Sequence, residues 1–113
     1  MSKKIKVIMC PVDREPYMAE IEDSLEALQQ AVGGYIECLS VTTDCVMICN
    51  EEGRVRNLPV NHSVSWRMPY GIYGDALLCG ADGPEFADVP EVGRDMLLKA
   101  CRRIRMQEAK ADA

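Results

Sequence analysis

The chain has 113 residues and a formal net charge of −5, enough for one domain with one hydrophobic core and too few for two. No apolar run approaches the roughly 18 residues of a spanning helix, and the acidic balance disfavours nucleic acid, whose binding draws on dense Lys and Arg. Only 5% of the residues are aromatic, so the core must rest on Val, Ile, Leu, Met and Cys.

The first element is "KIKVIMC", Lys4 to Cys10, a β-branched, weakly alternating strand that Pro11 ends. The basic start before it leads into an apolar run too short for a signal-peptide core, so a cytoplasmic protein is expected. "PYMAEI", from Pro16, suits a short second strand with proline at its entry. The first helix follows. Asp23 is its expected N-cap, with Glu26 closing a capping box. Leu25, Leu28 and Val32 form its apolar stripe. Gly33 or Gly34 supplies the left-handed position at its end; the other glycine has no such explanation.

"YIECLSV" (Tyr35 to Val41) and "CVMICN" (Cys45 to Asn50) read as two strands, the second apolar enough to be central. "NEEG" is a turn. "RVRNLPV" is extended, and Pro59 keeps it out of the middle of a sheet. Residues 61–75 form the longest irregular segment, and loops of that length tend to carry function. "ALLCG" is a last strand and "ADGPEFADVP" is turn-rich. A final helix runs from about Glu91 to Met106, with Val92, Met96, Ala100 and Ile104 stacked four apart and Leu97 and Cys101 beside them. The expected architecture is α+β: a mostly antiparallel sheet of four to six strands with two helices packed on one face. Residues 1–108 form the single domain and 109–113 a frayed tail.

Six cysteines stand at 10, 38, 45, 49, 79 and 101. No export signal supports disulfides, and five of the six lie in strand-like runs, where a free thiol packs as a small hydrophobe. Cys45 and Cys49 on one strand would be about 13 Å apart, too far to share a metal. No metal, cofactor or catalytic group is therefore expected, and the single histidine, His62, has no diagnostic Ser, Cys or Asp partner.

Charge is unevenly spread. Residues 13–52 carry ten acids and one base, whereas 94–105 carry five bases and one acid. A basic face beside an acidic one suits self-association or a charged partner. The segment "NHSVSWRMPYGIY" gathers Asn61, His62, Trp66, Arg67, Tyr70 and Tyr73. These supply flat stacking surfaces, amide hydrogen bonds and a guanidinium, the groups that a purine nucleotide needs. The same set describes a subunit interface or an ordinary loop capping the core, and all three readings stand.

The segments "EIEDSLEALQQAVGGYIE", "CNEEGRVRNLPVN" and "IYGDALLCGADGPEF" resemble a small family of unknown function, the one numbered thirty-eight forty-six. Its pattern runs L-Q-x-A-V-G-G-Y-I-E, N-E-E-G, L-P-x-N and I-x-G before a glycine-rich turn. The family commonly has Arg after the Asn of L-P-x-N, where this chain has His62. The resemblance implies a setting in phages and mobile elements of bacteria, near genes that counter host defence. It implies either sequestration of a nucleotide immune signal, such as a cyclic ADP-ribose, or binding to a nuclease or defence complex.

The expectation is thus a non-catalytic, homo-oligomeric protein that binds a nucleotide-like small molecule in a pocket formed partly at a subunit boundary, since so short a domain has little interior to spare. Gly33, Gly34 and Tyr35 would bring backbone to the ligand. Asn50, Glu51 and Asn61 would read ribose or base, with His62 beside them. Trp66, Tyr70 and Tyr73 would stack, and Arg67 would meet phosphate. The alternative is an acidic inhibitor of a host DNA-binding or nuclease defence complex, with no membrane partner expected and nucleic acid disfavoured.

Overall fold

A computed structural model describes residues 3–64 and 71–111, with side chains through Met106. Strands β1 (Lys4–Cys10), β2 (Tyr17–Glu22), β3 (Ile36–Thr42), β4 (Cys45–Asn50), β5 (Ala76–Asp82) and β6 (Glu85–Ala87) build one sheet, and the helices are α1 (Leu25–Val32) and α2 (Arg94–Ala111). The order is β2-β1-β5-β4-β3, with β6 also on β5, and the described pairings are antiparallel. This is the expected α+β class, with α2 extending five residues beyond the predicted Met106.

Side-chain parity explains the layers. In β1, Ile5 and Val7 point to one face and Ile8 and Cys10 to the other, all fully buried. The first face also takes Ile48, Leu77 and Cys79, and α1 closes it with Leu28 and Val32. The second takes Met47, Cys49, Ala76 and Leu78 under Cys101, Leu97 and Leu98 of α2 and under Val64 and Ile72. The two helices therefore cover opposite faces, not one. The sequence pointed to this wherever apolar residues fill both parities of a strand, since such a strand must be covered twice.

Chain order dictates where α1 lies. The chain leaves β2 at one edge and must reach β3 at the other, so α1 crosses the sheet on the way. Ser24, not Asp23, is the N-cap: its hydroxyl accepts the Ala27 N–H at 3.1 Å, satisfying one of the donors orphaned at a helix start. Two further features escape the sequence pattern. β6 sits inside the turn-rich stretch, joined to β5 through Gly83 and Pro84. Asp88 and Val89 then hydrogen-bond the backbone of Lys6, filling the gap where β1 parts from β5.

α2 begins at Arg94 because Gly93 is left-handed at φ 85°. Val92 thus falls outside the helix, 94% exposed, and Met96 is 75% exposed. The expected apolar stripe is rotated, and the face that packs runs through Leu97, Leu98 and Cys101.

Candidate functional site

The end of the sheet where β3 starts and β4 stops gathers the residues after α1, the turns over 51–57, and the segments 58–64 and 71–75. Gly33 ends α1 at φ 77°, and the N–H groups of Gly33 and Gly34 both donate to the Gln29 carbonyl, at 2.8 and 3.1 Å. This is a left-handed helix cap. Gly34 serves a different purpose. A methyl group there would stand 2.9 Å from Asn50 Nδ2 and 3.3 Å from a terminal nitrogen of Arg56. The second glycine of the pair is a packing requirement, and what it admits is an asparagine and a guanidinium.

Asn50 and Asn61 hold this end together. Asn50 Nδ2 donates to the Val32 carbonyl at 3.1 Å, and its Oδ1 accepts the Glu52 N–H at 2.8 Å. Asn61 is fully buried. Its Nδ2 donates to the carbonyls of Cys10 (2.7 Å) and Gly74 (2.9 Å), and its Oδ1 accepts the Ser63 N–H. Both amides, expected to read a ligand, instead fasten backbone to backbone, as buried polar groups must. Tyr73 is half-buried, bridged to Val60, and its carbonyl crowds Gly53, where no side chain fits. His62 is half-buried in the turn that follows Asn61. Glu51 is exposed, and its N–H donates to the Tyr35 carbonyl at 2.8 Å. Trp66, Arg67 and Tyr70 lie outside the described residues.

Two hollows flank Gly33 and Gly34, and Arg56 lines both. One, about 260 Å³, is bounded by Val32, Gly33, Leu58, Gly74 and Asp75 among others. The other, about 170 Å³, is lined by Gln29, Gly34, Tyr35, Glu52 and Arg56. Tyr35 is 66% exposed. Among the described residues no hydrogen bond or ion pair engages the side chains of Gln29, Tyr35, Glu52 or Arg56. The smaller hollow therefore presents an aromatic face, an amide, a carboxylate and a guanidinium, all available to a ligand. Arg56 also complements the negative end of α1. Sequence reading placed Gly33, Gly34 and Tyr35 here and took Glu51 where the hollow takes Glu52. It missed Gln29 and Arg56. The signal for Arg56 was the return of basic residues in "GRVRN" after a long acidic stretch.

Among the described residues no group of three His, Cys, Asp or Glu side chains is placed to hold a metal. All six thiols are free and only Cys38 is exposed. Burial pushes Cys79 up to about 12 and Cys45 and Cys49 up to about 11, so these thiols stay protonated and packed. A hydrogen bond to Cys101, reinforced by burial, raises Cys10 as well.

Residues 5–100 match a family model described as Domain of unknown function (DUF3846). The chain belongs to this family. The matched span runs from β1 into α2 and so includes both hollows and every residue of the sheet end. Comparison with curated proteins and with solved structures finds no match. Among the described residues no helix of this DUF3846 chain is long and apolar enough to cross a membrane.

Proposed function

We propose that this protein is a binding module for a nucleotide-like small molecule, held at the sheet end around Arg56 without chemical conversion. The observation that carries the reading is the convergence of Tyr35, Gln29, Glu52 and Arg56 on one hollow beside Gly34. Each group matches one part of a nucleotide. The Tyr35 ring offers a stacking face. The Gln29 amide pairs with a base edge. The Glu52 carboxylate accepts from the ribose diol, and the Arg56 guanidinium meets phosphate. The absence of a side chain at Gly34 leaves the room that Asn50 and Arg56 occupy beside it.

The hollows are smaller than the roughly 300–1,000 Å³ of a site that engulfs a drug-sized ligand. They take a nucleoside or a phosphate each, so a dinucleotide or cyclic ADP-ribose would straddle Arg56 and occupy both. In biological terms the module sequesters a nucleotide-derived immune signal on behalf of a phage or mobile element, the setting that the resemblance suggests.

The test is native mass spectrometry and calorimetry with AMP, ADP-ribose and cyclic ADP-ribose as probes. The expected result is a mass gain of one intact probe, released unchanged on denaturation. Arg56→Ala and Tyr35→Ala should each weaken it about tenfold or more, while Val55→Ala, an exposed neighbour outside both hollows, should not. If no probe binds the wild type, or the Arg56 and Tyr35 variants bind as well as it does, the reading is wrong. A released product that differs from the probe would make the protein an enzyme.

A further inference from the structure

A second surface lies at the other end of the β3–β4 hairpin. A hollow of about 340 Å³ opens between the turn at Thr42–Cys45 and the start of α2, and Leu97 and Ala100 form part of its wall. Val92 and Met96, the two most exposed apolar side chains near it, stand on its rim. A knob and a hole thus lie side by side on one patch. Burying such a patch against an unrelated flat surface would fill the hole with nothing. Burying it against its own copy, turned by a two-fold axis, puts each knob into the other's hole, because a two-fold interface uses the same patch twice.

Charge selects the same partner. Asp95, Lys99 and Arg103 follow one another at four-residue spacing along the exposed side of α2, and residues so spaced share a flank of the helix. Glu91 precedes them in the turn. Along this flank acid therefore lies toward the start of α2 and base toward its middle, while Arg94, the first residue of the helix, donates to the Val89 carbonyl at 2.7 Å. When two such helices pack antiparallel about a two-fold axis, the same flank of each faces the other. Asp95 then meets Lys99 of the second copy, Lys99 meets its Asp95, and the Met96 side chains meet near the axis. Val92 of one copy lies over Ala100 of the other. A parallel arrangement would set acid on acid and base on base, at a cost.

We propose that the patch built on Val92, Met96 and the start of α2 is a two-fold interface between copies of this chain, with α2 packed antiparallel on α2. It lies a hairpin's length from Tyr35 and Arg56, about 20 Å for a strand of six or seven residues. Self-association through this patch therefore neither completes nor blocks the ligand site.

The test is light scattering after size exclusion, with native mass spectrometry, across the micromolar range. The wild type is expected as a dimer. Met96→Glu should be monomeric with an unchanged circular-dichroism spectrum. Lys99→Asp should weaken the dimer about tenfold or more, since it sets carboxylate against carboxylate. The double exchange Asp95→Lys with Lys99→Asp should restore it, because the paired charges are only swapped. A monomeric wild type, a dimer that survives Met96→Glu, or a double exchange no better than Lys99→Asp alone would each overturn the proposal.

Discussion

Asn61 Nδ2 lies 2.7 Å from the carbonyl of Cys10, a residue 51 positions earlier in the chain. The same nitrogen reaches the Gly74 carbonyl, so one amide ties the end of β1 to both sides of the 61–75 segment. Cys10 and Ala76 are register partners in the sheet, and Asn61 caps that junction from the loop above.

Asn61→Ala removes the amide's hydrogen bonds to the carbonyls of Cys10 and Gly74 and to the Ser63 N–H, all at buried positions. Unsatisfied buried groups cost about 1–3 kcal/mol each, partly relieved by local rearrangement, so a loss of about 3 kcal/mol in urea unfolding is expected. Asn61→Asp should be at least as damaging, because a carboxylate cannot donate to either carbonyl. A loss within experimental error of zero for Asn61→Ala would show that the tie is not structural.

The glycine pair separates two roles. Gly33→Ala strains a left-handed residue with open space around its Cβ, so it should cost about 1 kcal/mol of stability and leave ligand affinity unchanged. Gly34→Ala has no such strain but displaces Asn50 and Arg56. It should lower probe affinity more than stability, read by calorimetry beside thermal melting. Equal effects of the two substitutions on binding would refute the division.

Thiol accessibility gives a direct check of the packing. Cys38 is exposed and the other five cysteines are buried, and buried thiols are inert toward alkylating reagents. Iodoacetamide should add one group to the native protein, at Cys38, and six after denaturation. A second rapid adduct on the native chain would mean that one face of the sheet opens.

The buried thiols also set an alkaline limit. Cys79 is held up to about 12 by burial, from an ordinary value of 9.0. Unfolded, it loses its proton near pH 9.0, and folded it keeps the proton to about 12. The unfolded chain therefore binds fewer protons between these values, and stability falls as pH rises through that window. Below pH 9.0 the contribution is complete. Cys45 and Cys49, raised to about 11, add to the same fall. Denaturation midpoints measured from pH 9.0 upward should decline more steeply for the wild type than for Cys79→Ala. Parallel curves would contradict this.

The local grammar of the chain was legible without a structure. Cys45–Asn50 came out as a strand with the right bounds because six consecutive apolar or amide-bearing residues between turns leave little else. The stop of α1 at the glycine pair and the placing of five cysteines in strands followed equally from residue type, although only four of those five are buried and Cys38 faces solvent. These are properties of nearest neighbours, and nearest neighbours are what a sequence lists.

Tertiary structure decided what depends on the third dimension. Alternation says which side chains share a face of a strand, but not which helix covers that face, so it does not separate two helices on one side from the observed one on each. Ser24 displaced Asp23 as the cap because the turn geometry, not the residue type, chose between adjacent candidates. Arg56 meets Gly34 across 22 positions of sequence, and Asn61 meets Cys10 across 51. The sequence by itself determined most of the elements, the family pattern and the class of the fold. Only the path of the chain determined which asparagines became fasteners and which arginine stands at the hollow, because those contacts exist only once the sheet has brought distant residues together.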